Sequence, residues 1–451
     1  MTKLRLTLTV CLLLVAVSLS AQKKADLSKV KYKSYKGLIM TGYQGWFNTP
    51  DDGAKKGWGH YATKEGKFEP GHCTIEFWPD MSEYTKVYDS PFKYSDGTTA
   101  TLFSSVDPET QDLHFKWMKE YGIDGAFMQR FVWTLRPGIR QQHTIKVFRN
   151  AMAASIKHDR AICAMYDMSG SRAGEDSVLI KDWKRLVDEL DVLNPNKANY
   201  LYHDGKPLVV VWGIGFNDGR RYGLAEANRI LDFLKNDPKY GGCSVMVGVP
   251  TCWRTPDVAG TDCITDDVQA FAKFIERVDI VAPWHVDRYR RYHLETGSYD
   301  FVLNRVKDDI AWCKKNGKDY VPGIYPGFSM LNLRGFGYVD NPRFINWSPR
   351  LKGDYMWMMV SNAVKNGAEM LYFAMFDEID EGTAIFKVST NPPVSLPPGK
   401  FTFKDFKGKP YTYFFDNEGM PSDHYLWLSG MAGKMMRKEI PFTDKTPKRK
   451  K

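Results

Sequence analysis

The sequence predicts a closed (β/α)8 barrel, and three observations carry that prediction. Eight short apolar runs recur along the 451 residues, longer amphipathic stretches separate them, and no glycine-rich GxGxxG turn follows the first run. The runs are mostly continuous rather than alternating, as parallel strands covered on both faces require. Strands alternating with helices define an α/β architecture, and eight such units define a barrel. An open doubly wound sheet is the competing architecture, but its first turn would carry the glycine fingerprint that is missing here.

Taken in order, the first strand is expected over 37–43. A long segment from Trp46 to Leu102, rich in Gly, Pro, Asp and aromatics, reads as a large first loop over the barrel mouth. Further strands are expected over 123–129, 161–167, 207–212, 243–249, 278–284, 320–325 and 369–376. Helical periodicity falls between them at 113–121, 144–157, 178–190, 224–234, 266–276, 301–316 and 353–366. No Ser/Pro-rich linker or internal repeat interrupts the series, so residues 22–440 are expected to form one domain.

The two ends read differently from the body. Residues 1–21 have the layout of a cleaved secretory signal: a basic start, an apolar run over 6–17, then Ser18, Ser20 and Ala21, with the cut expected after Ala21. The apolar run is short for a bilayer, and no later segment reaches the roughly 20 apolar residues of a membrane helix. A retained signal anchor is the alternative. The mature protein is therefore expected to be secreted or periplasmic, with no transmembrane segment.

The formal charge of +10 first suggests a polyanion partner. Lys3 and Arg5 leave with the signal, however, and residues 441–451 alone hold five cations, the composition of a disordered basic tail. The body is only mildly basic, which argues against nucleic acid. Six cysteines remain after cleavage, without paired CxxC spacing, which argues against a zinc cluster or a disulfide framework. Cys252 and Cys263 are close enough in sequence to bridge; a buried thiol is the alternative.

In barrels the site forms where the C-terminal strand ends converge. That rule offers Tyr43, Gln44 and Trp46 after the first strand, Gln129, Arg130 and Trp133 after the second, Tyr166 and Asp167 after the third, and Trp212 after the fourth. It adds Trp253 and Arg254 after the fifth, Trp284, His285 and Asp287 after the sixth, and Tyr325, Arg334 and Trp347 after the seventh. Flat indole and phenol rings suit the apolar face of a pyranose, while Asp, Arg, Gln and His supply hydrogen bonds to its hydroxyls. The mixture points to a carbohydrate ligand. Of the set, Tyr43, Trp46, Trp133, Tyr166, Asp167, Trp212, Trp284, His285, Tyr325 and Arg334 are the candidate substrate-binding residues.

The eighth strand ends in FDEIDEGTAIF, residues 376–386, where Asp377, Glu378, Asp380 and Glu381 crowd one short window. Three readings stand side by side. Glu378 and Glu381, separated by two residues, would face one mouth as a catalytic pair, one carboxyl protonating a leaving oxygen and the other serving as nucleophile or base. Crowding would raise one pKa and keep that group protonated. Alternatively, the acids form an exposed helix start, or Asp377 and Asp380 hold a hard cation.

At these residues the chain resembles a known family. FDEIDEGTAI is similar to the FNEWHEGTQIE signature of glycoside hydrolase family 99, the endo-acting α-mannosidases and α-mannanases, with distant relatives in family 71. Tyr325-Pro-Gly-Phe328 followed by Arg334 resembles that family's PGY…R segment, and the spacing onward through Gly353-Asp-Tyr-Met-Trp357 fits. Ile123-Asp-Gly-Ala126 resembles its GVDV strand, and Glu76-Phe-Trp-Pro79 its EFYP loop. The resemblance implies a (β/α)8 barrel cleaving α-mannosidic bonds with retention, with no metal or cofactor. It implies that Glu378 acts as base on the sugar's own 2-hydroxyl, which closes a 1,2-anhydro ring, and that Glu381 protonates the leaving group and then activates water. Asp377, Ile379 and Asp380 stand where the family has Asn, Trp and His, so the substrate is expected to differ, with Asp377 and Asp380 added to the substrate-binding candidates.

The function expected is thus an exported retaining glycoside hydrolase acting on a polysaccharide or glycan. The competing expectations are a catalytically inert, glycan-binding barrel and a metal-dependent carbohydrate enzyme using the extra aspartates.

Overall fold

The computed structural model describes residues 27–255, 267–334, 348–394, 403–404, 410–411 and 414–449. The expected signal segment, Cys263 of the expected bridge and Trp347 lie outside the described residues, as does the side chain of Arg334.

Eight parallel strands form the expected barrel. They are β1 (Ile39–Tyr43), β2 (Gly125–Phe131), β3 (Ala161–Asp167), β4 (Lys206–Trp212), β5 (Ser244–Pro250), β6 (Ile280–Trp284), β7 in two pieces (Asp319–Tyr320 and Gly323–Ile324), and β8 (Leu371–Phe373). Each pairs with its neighbour in sequence order, and β1 closes on β8 with Ile39 opposite Leu371. The ring is completed within β7, whose first piece pairs with β6 and whose second pairs with β8. Pro322 sits at the break, and a residue without an N–H interrupts the ladder there. Strands β3 and β5 are buried along their whole length, between a filled interior and the helices outside.

The outer helices are α1 (Pro108–Tyr121), α2 (Ile139–His158), α3 (Asp176–Asp188), α4 (Leu224–Asn236), α5 (Val268–Glu276), α6 (Arg288–Thr296), α7 (Asp300–Lys315), α8 (Asp354–Lys365) and α9 (His424–Met436). Their apolar positions recur at helical spacing, so α3 buries Leu179, Trp183 and Leu186, and α5 buries Phe271, Phe274 and Ile275. Helix α9 packs against both α8 and α1 and closes the outer layer.

Three differences from expectation matter. Strand β8 is three residues long rather than eight, because the chain beyond Phe373 bends into the mouth, where the Phe376 N–H donates to Gly42 O at 2.7 Å. The long first loop carries a hairpin (Tyr88–Lys93 with Thr99–Leu102) and an aromatic cluster of its own, with ring centroids of Phe47–Tyr61 at 4.9 Å, Trp58–Phe68 at 4.8 Å and Phe68–Phe92 at 5.0 Å. The described part of the basic tail, expected to be disordered, packs on the barrel: Arg449 makes a two-pronged ion pair with Asp423, Thr446 donates to Asp354, and Thr443 O accepts from Trp357 Nε1 at 3.1 Å. Charge alone predicted solvation there, but Arg449 finds the Asp423 carboxylate at the start of α9, and Thr446 and Thr443 bond to α8. Among the described residues, no helix is long and apolar enough to cross a membrane.

Candidate active site at the barrel mouth

Beyond β8 the acidic motif forms a tight turn at the C-terminal end of the barrel. It is not an exposed helix start: Asp377 is 0%, Glu378 4% and Asp380 1% exposed. Several contacts fix the turn. The Asp377 carboxylate accepts the main-chain N–H groups of Gln44 at 2.7 Å and Gly45 at 2.8 Å, tying the end of β1 to the motif. Ile379 O accepts from the Glu76 N–H at 2.8 Å. The buried Arg350 guanidinium, sandwiched between the rings of Phe77 and Tyr425, donates to Gly382 O at 3.1 Å and Ala384 O at 2.6 Å. Gly382 has φ +64°, and a Cβ there would lie 3.2 Å from Ser329 N, so the turn needs glycine.

Glu378 is aimed from two sides. Gln44 Nε2 donates to Oε1 at 2.7 Å, and Thr383 Oγ1 contacts Oε2 at 2.6 Å. Burial raises its pKa well above the usual carboxylate range; the nearby charges of Glu381 and Asp380 add to the rise, and the two hydrogen bonds oppose it. Glu381 is the more exposed of the two glutamates. Asp377 is pushed up to about 7, mainly by burial, against the lowering effect of its two main-chain donors. Burial carries Asp380 to about 8, so near neutral pH it keeps its proton. Its Oδ2 meets His60 Nδ1 at 3.2 Å, and the His60 ring lies flat on Trp46, with centroids 3.9 Å apart. Asp380 Oδ1 has no hydrogen-bond partner among the described residues.

The rest of the mouth is aromatic and amide-rich. Trp46 also stacks on Phe131 at 5.7 Å. Gln129 donates to Asp167 at 2.8 Å, a carboxyl whose pKa burial raises. Trp212 and Trp284 meet edge to face at 5.1 Å although β5 lies between their strands. They meet over Gly248, where a Cβ would lie 2.2 Å from the Trp212 ring. Beside the motif, a cavity of about 480 Å³ is lined by Gln44, Trp46, His60, Gln129 and Trp133, together with Lys56 and Arg140.

Of the candidate residues, Trp46, Trp133, Asp167, Trp212 and Trp284 thus join Glu378, Asp380 and Glu381 at the mouth. Four others do not. Tyr43 shares a hydrogen bond with His114 of α1 at 2.8 Å, Tyr166 binds Asp182 of α3 at 3.0 Å, and Tyr325 meets Tyr355 of α8 at 2.7 Å. His285 sits between Thr251 and Tyr320, and burial lowers its pKa to about 3. The cause is strand parity: successive side chains alternate between barrel interior and helix layer, so Tyr166 faces out where Asp167 faces in, and His285 out where Trp284 faces in. Asp377 is also corrected, from ligand contact to brace, because main-chain donors occupy both its oxygens. Arg130 and Arg254 are likewise structural, paired with the buried Asp182 and Asp309.

Sequence reasoning missed His60 and Thr383 as partners of the motif acids, and Lys56 and Arg140 in the cavity wall. Thr383 lay within the motif itself. The other three had no local signal.

The Asp377–Asp380 cation reading is weakened by the main-chain donors on Asp377. The one described cluster with metal-ligand spacing, His203, Asp204 and Asp319, lies at the opposite end of the barrel. There His203 Nδ1 accepts the Tyr35 N–H, which leaves Nε2 as the protonated nitrogen facing Asp319 at 2.9 Å, and Lys36 neutralises Asp319 at 3.0 Å. That arrangement leaves His203 no lone pair for a metal.

No protein-family model matches the chain, and no curated protein matches it. Solved structures do. Two structures of the GH99 endo-alpha-mannosidase from Bacteroides thetaiotaomicron, one in complex with bis-tris-propane, are similar over 89% of this chain and 98% of that one, at 14% identity, with TM-scores of 0.59 and 0.57. At that identity the likeness is one of fold.

Proposed function

We propose that this protein is an exported retaining glycoside hydrolase, with Glu378 as base and Glu381 as general acid and base. One observation carries the reading most: at the mouth of a barrel with the family 99 fold, Glu378 is held by donors on both oxygens and feels the charge of Glu381 more than that of any other residue. Export rests on the composition of residues 1–21.

The chemistry follows the route that the motif resemblance implies. Glu378 takes the proton of the sugar's 2-hydroxyl as that oxygen attacks the anomeric carbon. Glu381 gives its proton to the leaving oxygen as the glycosidic bond breaks. In the second half Glu381 takes a proton from water, the water oxygen opens the anhydro ring at the anomeric carbon, and Glu378 returns its proton to the 2-oxygen. Burial raises the proton affinity of Glu378, so once ionised it is a stronger base than an exposed carboxylate, and Gln44 and Thr383 hold it in line. Trp212 and Trp284 supply aromatic surface for sugar rings, while Trp46 is covered by the rings of His60 and Phe131.

The test is hydrolysis of a panel of α-mannans, arabinoxylans and host glycans, with product anomers followed by NMR. Glu378→Gln and Glu381→Gln should each lower kcat by roughly 10²–10⁴-fold, the usual contribution of a positioned acid or base, with the anomeric configuration retained in the wild type. Unchanged turnover in both variants would remove the assigned roles, and binding without cleavage across the panel would favour an inert glycan-binding barrel.

A further inference from the structure

The loops after β3 and β4 form an open groove of about 690 Å³ beside the mouth, and Trp133 lines both this groove and the cavity next to the acidic motif. The groove walls hold four arginines, Arg136, Arg172, Arg220 and Arg221, against one carboxylate, Asp218. Two of the four are committed. Arg220 forms a two-pronged pair with Asp218, at 2.8 and 2.9 Å, and lies over the Phe216 and Trp212 rings, which links the groove to the aromatic wall of the mouth. Arg136 pairs with Glu175.

The other two are not. Arg172 and Arg221 are exposed, have no ion-pair partner among the described residues, and stand opposite each other across a parallel backbone bridge. Like charges placed opposite one another across paired strands repel. Arg140, at 5.3 Å over the Trp133 ring, adds a third cation without an ion-pair partner among the described residues where groove and cavity meet. No carboxylate lines the cavity. The guanidinium fork matches planar or tetrahedral oxyanions, and two forks side by side make an anion seat.

We propose that the glycan seated in this groove is anionic, a uronate or a sulfate ester, with Arg172 and Arg221 binding its charged substituent and Trp133 carrying the chain toward Glu378. This rests on the glycosidase reading and names the substrate class of the same site. It also fits the replacement of the motif's Asn, Trp and His by other residues: recognition moves from the turn that holds the carboxyls to the loops beside it.

The test is calorimetric binding to the Glu381→Gln protein, with tetragalacturonate, a sulfated carrageenan tetrasaccharide and neutral mannotetraose as probes. One of the two anionic probes should bind, more weakly as salt rises, and which one does so separates carboxylate from sulfate. Arg172→Ala with Arg221→Ala should weaken that binding by about tenfold or more, as expected for lost charge-assisted contacts, and should leave melting temperature and mannotetraose binding unchanged. The proposal is overturned if neither anionic probe binds, or if the arginine variant binds them as tightly as its parent. The two readings fail separately. Cleavage of a neutral glycan that needs Glu381 and ignores the arginines would sink the anion seat alone, whereas arginine-dependent binding without cleavage of any glycan by the wild type would sink the hydrolase alone.

Discussion

Asp380 and Asp377 give the mouth an unusual acid–base character, because burial outweighs every hydrogen bond they receive. Asp380 has a folded-state pKa of about 8 against an ordinary 3.8, and Asp377 about 7. A carboxyl raised in this way binds its proton more tightly in the folded than in the unfolded chain, so its contribution to stability is complete below about pH 4 and is lost as pH rises through the folded value. Asp380→Asn cannot ionise. Its melting temperature relative to wild type should therefore rise between about pH 4 and pH 8 and level off above that, and parallel melting profiles for the two proteins would show that Asp380 is not held protonated. The sequence placed these acids at the strand end but could not give their burial. Four acidic letters in a row of eleven read equally well as a solvated turn. What separates the readings is the long-range placement of Gln44, Gly45, Glu76 and Arg350, none of which is near the motif in sequence.

At the level of strands, parity decided which strand-end residues reach the mouth. Continuous apolar runs hide parity, since both faces of a parallel strand are buried, and an apolar letter carries no direction. Hence Tyr166 was legible as a strand-end residue but not as one facing α3. There it closes a buried network in which Arg130 binds Asp182 through two bonds of 2.7 Å and the Tyr166 hydroxyl donates to the same carboxylate. Both ionic groups are essentially inaccessible. Removing one partner strands the other charge in a low-dielectric layer, which costs more than the pair ever contributed. Asp182→Asn should destabilise the fold by about 3–5 kcal/mol, measured from urea unfolding. The combination Arg130→Met, Asp182→Leu and Tyr166→Phe removes the three buried polar groups together, leaves only the partly exposed Arg185 of the network, and should recover most of that loss. A single variant with wild-type stability would mean that Arg130 finds water.

For the molecule as a whole, the barrel was legible because its signal is repeated eight times: each strand and helix could be misplaced by a few residues without changing the count or the order. The closure through a broken β7 and the substructure of the first loop were not legible, since both depend on contacts between distant segments. The C-terminal end shows the limit most plainly. Its charge is a local property, and local charge predicts solvation; its order comes from Asp423, Asp354 and the indole N–H of Trp357, contributed by the last two helices of the ring. Truncation after Ile440 tests which view holds. It removes the acceptor of a buried indole N–H, worth roughly 1–3 kcal/mol when left unmade, together with a partly exposed ion pair that adds little. Helices α8 and α9 are the two that close the outer layer on α1, so loosening them acts on the seam of the barrel. A truncated protein should melt roughly 2–4 °C lower, and restoring residues 441–446 alone, which returns Thr443 but not Arg449, should recover most of the shift. Equal melting temperatures for full-length and truncated protein would show the tail to be the solvated end that its composition suggested.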